Sequence, residues 1–88
     1  MLERWNCNTS EPPHSHPGDD MTIVIEGRIE VQFYLLSESG DLIPDGAPIL
    51  LTAGQTGYVQ GNRIHSVKYL ADCKLVYVHD GDFAFKAA

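Results

Sequence analysis

A chain of 88 residues leaves room for one domain, residues 1–88, and its 43% share of hydrophobic residues is that of an ordinary globular protein. A formal charge of −6, with only six lysines and arginines, argues against a nucleic-acid partner, because such affinity depends on basic groups that neutralise phosphates. No apolar run approaches the ~20 residues that span a bilayer, so we expect no membrane helix. The N-terminus also lacks the features of a secretion signal, and we expect a cytoplasmic protein whose two cysteines stay reduced as structural thiols.

The first informative segment contains His14, His16 and Asp20, just before an apolar run that begins at Met21. Side chains two apart in a strand point to the same face, so His14 and His16 can present two imidazole nitrogens to one ion. Residues 17–18, Pro-Gly, supply a turn, after which Asp20 returns on the next strand. The segment therefore predicts a metal site at a strand entrance, with solvated loop histidines as the alternative.

Further along the chain, apolar and polar residues alternate instead of recurring at helical spacing. The alternation predicts a strand over residues 28–35. Its apolar face carries Ile29, Val31, Phe33 and Leu35, and its polar face carries Arg28, Glu30, Gln32 and Tyr34. Turn residues follow at short intervals, which indicates a sandwich or a barrel. Residues 37–48 are predicted to form a polar hairpin with a type I turn at residues 43–46, either a solvated loop or a lid over the barrel mouth.

The second informative segment runs from Gly54 to His65 and places a third histidine after a glycine-rich turn. Tyr58 and Gln60 share one face of the strand that enters this turn, so either could orient a substrate. Arg63 could bind a substrate carboxylate. For each of these three residues a plain surface role is the alternative. On the last strand, His79 is expected to be a core or rim histidine.

Together the two segments resemble the motifs of the cupin family, Gly-x5-His-x-His-x3-Glu-x6-Gly and Gly-x5-Pro-x-Gly-x2-His-x3-Asn. The first motif is matched without a gap by His14, His16, Asp20 and Gly27, with Asp for Glu and with Asn8 at the leading glycine. The second is matched by Gly54 and His65, while Gln60, Asn62 and Tyr69 replace its Pro, inner Gly and Asn. Asparagine tolerates a left-handed backbone, so Asn8 and Asn62 are expected to be the least costly replacements for glycine where a turn needs positive φ.

The resemblance implies a small antiparallel β-barrel, or jelly roll, that binds one divalent transition metal, Fe, Mn, Ni, Cu or Zn. The implied ligands are His14, His16 and His65, with Asp20 as the fourth. Because Asp is one methylene shorter than Glu, it could also bind through water or not at all. A cupin that has lost its metal and keeps these polar groups as a pocket lining is the alternative.

Two open positions on such a metal suit a dioxygenase-type oxidoreductase acting on a small oxygenated molecule. A non-catalytic small-ligand binding module is the alternative, and a metal-dependent isomerase is the third hypothesis, weakened because no general base stands out beyond the ligands. A chain this short buries only ~60–65% of its extended surface on folding, so we also expect a homodimer. The indole of Trp5 is expected at a subunit contact or at one end of the barrel.

Overall fold

The computed structural model describes residues 1–79, and for His79 only the backbone. Within these residues the chain forms strands and no helix, which confirms the all-β prediction. The strands are β1 Leu2–Trp5, β2 Ser10–His14, β3 Asp20–Glu26, β4 Arg28–Leu36, β5 Leu42–Pro44, β6 Ile49–Thr52, β7 Thr56–Val59, β8 His65–Tyr69 and β9 Cys73–His79. No helix in this part of the chain is long and apolar enough to cross a membrane.

The strands form two antiparallel sheets in a jelly-roll arrangement. One sheet has the order β1-β9-β3-β7, and the other has the order β2-β8-β4-β5 with β6 also paired to β4. Apart from β4, which pairs with β5 and β6, neighbouring strands are distant in sequence, as when β1 pairs with β9 along its whole length. This interleaving brings both histidine-bearing segments, the end of β2 and the start of β8, to the same place in one sheet.

The core lies between the two sheets. Its buried members are Val24, Ile29, Val31, Leu51, Tyr69, Cys73 and Leu75. The predicted alternation of β4 is confirmed for Ile29 and Val31 but wrong for Leu35, whose side chain is 54% exposed. The physical reason is that β4 pairs with β8 and β6 only as far as Phe33, and beyond it pairs with β5 alone.

The hairpin over residues 37–48 turns earlier than predicted. Residues 42–44 pair with residues 34–36 of β4, so the reversal falls between Ser37 and Asp41. There the Ser37 N–H donates to the Asp41 carbonyl over 2.8 Å, and Gly40 adopts a φ of 88°. The type I turn predicted at residues 43–46 is therefore wrong, because two of its four residues are strand residues.

The backbone is left-handed at all four positions where the two cupin motifs have a glycine. Asn8 and Asn62 have φ values of 66° and 65°, and Gly27 and Gly54 have 91° and 89°. The two asparagines are the only non-glycine residues with positive φ within residues 1–79, so the prediction for both is confirmed. Their short side chains make the left-handed conformation cheaper than it would be for other residues.

Gly27 has a second constraint, because the strand that follows the β3–β4 turn passes close to β9. A Cβ at Gly27 would lie 2.5 Å from the Asp72 carbonyl oxygen and 2.6 Å from the Cys73 Sγ. The first is a backbone atom, and the second belongs to the buried Cys73 side chain. Only a residue without a side chain allows this approach of the two segments.

We predict that Gly27→Ala destabilises the protein more than Gly40→Ala does. Both glycines have positive φ, which costs an L-residue about 1–2 kcal/mol, but a Cβ at Gly40 meets nothing within 4 Å. Steric crowding at Gly27 adds about 1–3 kcal/mol. Urea unfolding midpoints measure the difference, provided that the dependence of the unfolding free energy on urea concentration is unchanged. Equal losses of stability in the two variants would contradict the close packing at Gly27.

Candidate metal centre and its cavity

Three histidine side chains converge at one edge of the β2–β8 pair. His14 ends β2 and lies opposite His65, the first residue of β8. His16 lies two residues beyond the end of β2, in the loop before β3. Each contributes one ring nitrogen, and these three atoms all lie within 4.8 Å of one another.

Hydrogen bonds fix which nitrogen two of these rings present. The Nδ1 of His14 lies 2.6 Å from the Pro12 carbonyl, and the Nδ1 of His65 lies 2.9 Å from the Arg63 carbonyl. A carbonyl oxygen can only accept, so Nδ1 carries the proton in both rings and Nε2 is left as the metal-ligating atom. Burial lowers the pKa of His65, which favours the neutral imidazole that a metal requires.

Asp20 is the first residue of β3 and is only 4% exposed. Its Oδ2 lies 3.6 Å from the Nε2 of His16, and its Oδ1 makes no hydrogen bond with the described residues. The three-histidine group does not include it, so the structure places Asp20 beside His16. A buried carboxylate oxygen without a donor is costly, and a cation held by the histidines would offset that cost. Three neutral imidazoles with one carboxylate fit a divalent transition metal.

Direct packing between two turns holds His16 beside His65. The Asn62 N–H donates to the His16 carbonyl over 2.6 Å, and the Gly61 N–H donates to the Asp19 Oδ1 over 2.7 Å. A Cβ at Gly61 would lie 2.9 Å from a backbone oxygen of the facing turn, so a side chain there would push the turns apart. The two motif segments are thus joined by backbone contacts as well as by their histidines.

A cavity of about 440 Å³ opens beside the three histidines. Its apolar lining comes from both sheets and comprises Trp5, Ile29, Val31, Phe33, Ile49, Leu51, Val59, Val67 and Leu75. Its polar lining, besides the histidines and Asp20, comprises Glu3, Glu11, Thr22, Thr56, Tyr58, Tyr69 and Tyr77. Burial, and then the neighbouring Asp20 carboxylate, raises the pKa of Tyr77, so its phenol stays protonated at neutral pH.

Glu11 is a cavity residue that the sequence analysis missed. It and His14 are an odd number of residues apart, so regular strand alternation would point them to opposite faces. However, the three-residue step from Glu11 to His14 faces a two-residue step from Val67 to His65, which marks a bulge in β2. The bulge brings the Glu11 Oε2 to 3.8 Å from the His14 Nε2. Two consecutive prolines, residues 12 and 13 on an edge strand, are the sequence signal of this irregularity.

Trp5 is half-buried at the end of β1. Its ring stacks on Tyr69 with centroids 4.6 Å apart and an interplanar angle of 5°, so it packs inside the subunit against the core and forms part of the cavity wall. The Tyr69 hydroxyl donates to the Glu11 carboxylate. Tyr69 occupies the position of the cupin motif's Asn, which shows that a large aromatic residue fills that place here.

The three predicted substrate residues lie in different environments. Tyr58, 71% exposed, reaches the mouth of the cavity. Gln60 and Arg63 line a shallow outer groove and not the cavity. Arg63 forms an ion pair with Asp45 and lies 4.6 Å above the Phe33 ring, so its guanidinium is already engaged.

Cys7 is an exposed free thiol, whereas Cys73 is buried, so only the latter has a core position. The side chain of His79 lies outside the described residues.

No model of a known protein family matches this sequence, and no curated protein matches it either. Solved structures do match. A conserved protein of unknown function from Streptococcus pyogenes aligns with a TM-score of 0.72 at 18% identity, over 89% of this chain and 59% of that one. A cupin superfamily protein from Desulfitobacterium hafniense aligns with a TM-score of 0.70 at 17% identity, over 86% of this chain and 60% of that one.

A third similar structure is an oxalate decarboxylase with Mn(II) centres from Bacillus subtilis, with a TM-score of 0.68 at 20% identity. The alignment covers 90% of this chain but 20% of that one. The chain thus spans less than two thirds of the length of each of these proteins. Low identity with high structural similarity establishes the architecture, and this chain has the cupin fold.

Proposed function

We propose that this protein is a metal-binding cupin that holds one divalent transition metal through His14, His16 and His65, with Asp20 beside them. The observation that carries the proposal is the convergence of three imidazole nitrogens within 4.8 Å at the wall of a cavity of about 440 Å³. Mn(II), present in the similar oxalate decarboxylase, belongs with Fe, Ni, Cu and Zn among the candidate ions. A bound ion would act as a Lewis acid or, if iron, allow reaction with dioxygen.

We propose a dioxygenase-type oxidoreductase acting on a small oxygenated molecule as the activity. Three or four protein ligands leave positions free on a six-coordinate ion, which suits a substrate and dioxygen together. The apolar walls of the cavity exclude water from the reacting groups. Tyr58, at the cavity mouth, is placed to contact a substrate as it enters.

A metal-dependent isomerase is the second candidate, and one observation favours it. Such an enzyme needs a general base besides the ligands. The Glu11 carboxylate lines the cavity beside His14 and could accept a proton from a bound substrate. A binding module without catalysis is the third candidate, since it requires only the cavity.

We predict that purified protein carries about one transition-metal ion per chain and that His16→Ala and His65→Ala lose it more severely than Asp20→Asn. Each histidine supplies a ligand atom, so its loss should lower affinity more than ~100-fold, whereas a neighbour that supports a ligand contributes ~10–100-fold. Elemental analysis measures the metal content, and calorimetric titration measures the metal affinity of each variant. Asp41→Asn, in an exposed turn, is the control.

Two results would contradict this prediction. Less than about a tenth of an equivalent of metal after reconstitution would support a metal-free cupin. If Asp20→Asn were the most severe variant, the carboxylate would be a principal ligand. A further readout separates the two roles of Asp20: in metal-free protein Asp20→Asn should be neutral or stabilising, because it removes a buried charge.

We predict that the Fe(II) protein consumes dioxygen only when its substrate is present, and that the Zn(II) protein binds the same substrate and leaves it unchanged. The protein is loaded with Fe(II) anaerobically, and an oxygen electrode then measures dioxygen uptake with a panel of catechols, enediols and thiols. Rearrangement of a substrate by both metal forms without oxygen uptake would indicate the isomerase. A tight ligand that stays intact on the aerobic Fe(II) protein would indicate the binding module.

We also propose that the protein is a cytoplasmic homodimer. Apolar side chains are exposed at the far end of β4 and on β5, namely Leu35, Leu36, Leu42 and Ile43. Unpaired sheet edges and such apolar surface are commonly covered by a second subunit. The exposed free thiol of Cys7 suits a reducing compartment.

We predict that light scattering gives twice the 9.7 kDa mass of the chain at micromolar concentration. Leu36→Asp should shift the protein towards monomer because it puts a charge in the apolar contact, whereas Leu2→Asp, on the other sheet, should not. A monomer mass for the unmodified protein would refute the dimer.

A further inference from the structure

The cavity has a strong charge bias. Among the described residues that line it, three are carboxylates, Glu3, Glu11 and Asp20, and none is a lysine or an arginine. Arg63 belongs to the outer groove and is paired with Asp45. Even a divalent metal at the histidines would leave the lining with a negative formal charge, so an anionic ligand would be repelled and a cationic one attracted.

Two of the carboxylates are held in place by the aromatic wall. The Trp5 Nε1–H donates to the Glu3 Oε1 over 3.1 Å, and the Tyr69 hydroxyl donates to the Glu11 Oε1. Because Trp5 stacks on Tyr69, the two carboxylates are fixed to the two members of one rigid pair. Each of these hydrogen bonds uses the Oε1 atom alone, so the Oε2 of each carboxylate can accept from a ligand.

A second observation points to a ligand or an ion in the same cavity. Asp20 is 4% exposed and lines the same cavity, and its Oδ1 has no donor among the described residues. A buried acceptor without a donor is rare in folded proteins and usually marks a place that a ligand or an ion completes. Among the described residues, the lining therefore carries three carboxylates and no lysine or arginine to balance them.

From these contacts we infer that the cavity binds a small molecule carrying an ammonium group, which Glu3 and Glu11 receive at the Trp5–Tyr69 wall, while an oxygen of the same molecule faces the histidines. The inference rests on the proposed function for its metal end, and it names the substrate class of that site. Charge-assisted hydrogen bonds from an ammonium to two carboxylates are stronger than those from a neutral hydroxyl.

Three probes of equal length test the inference: 3-amino-1-propanol, 1,3-propanediol and 3-hydroxypropanoate. Each has a hydroxyl at one end, and the other end is cationic, neutral or anionic. The chain's one tryptophan, Trp5, forms part of the cavity wall, so quenching of its fluorescence reports occupancy directly. We expect the Zn(II)-loaded protein to bind the aminoalcohol about tenfold more tightly than the diol, and the diol more tightly than the carboxylate, since one charge-assisted bond is worth about that factor.

The variant Glu3→Gln/Glu11→Gln keeps the shape of both side chains and removes their charge. It should abolish the preference for the aminoalcohol and leave the diol affinity within about twofold, because neutral donors still find acceptors. Glu38→Gln, in the exposed β4–β5 turn, is the control and should behave as the unmodified protein does. Metal content and unfolding midpoint are measured for each variant, so that loss of the metal or of the fold is not mistaken for loss of selectivity.

The inference is overturned if the carboxylate binds as tightly as the aminoalcohol, if no probe quenches Trp5 at millimolar concentration, or if the preference survives in the double variant. The last result would mean that the amine nitrogen binds the metal directly. Equal binding of diol and aminoalcohol would instead assign the site to neutral polyols. If metal does not bind but the preference for the aminoalcohol persists, the proposed metal function fails and the ligand class stands.

Discussion

The contact between the turn after β2 and the turn before β8 is the constraint on which the site depends. The Asn62 N–H donates to the His16 carbonyl and the Gly61 N–H to the Asp19 carboxylate, and no side chain at Gly61 separates the two turns. Because His16 lies outside any strand, the sheets alone do not position it. The β2–β8 register places His14 opposite His65, and the packed turns add the third ring to that pair.

Left-handed backbone occurs at fixed points of the fold, and one of them, Asn62, lies within this contact. Asn8 and Asn62 adopt positive φ where the cupin motifs have glycine, and Gly27 allows β3–β4 to pass close to Cys73. The departures of this chain from the motif are therefore conservative in backbone terms. The exchange of Asn for Tyr69 is different in kind, because the ring stacks on Trp5 and turns a polar motif position into part of the cavity wall.

The sequence predicted the features that depend on spacing along the chain. Strand alternation, turn residues and the two motifs were sufficient for the all-β fold, for the positive φ of both asparagines and for the grouping of three histidines. Features that depend on which strands become neighbours were not predictable in this way. Leu35 is exposed because β4 extends beyond its pairing with β6 and β8. Trp5 packs against the core because β1 pairs with β9, which is distant in sequence. Glu11 was missed because a bulge breaks the two-residue period on which the prediction relied.

The bulge in β2 allows the polarity of the pocket to vary independently of the positions of the three histidines. In a regular strand the residue three before His14 would face away from the interior, and the polarity of the pocket would be set by the three histidines and their neighbours alone. One inserted residue adds Glu11 to the interior without altering His14 or its pairing with His65. Evolution can therefore retune what the pocket accepts by changing an edge strand while the ligand set stays intact. Relatives with the same three histidines and a regular β2 would then be expected to differ in ligand charge more than in metal.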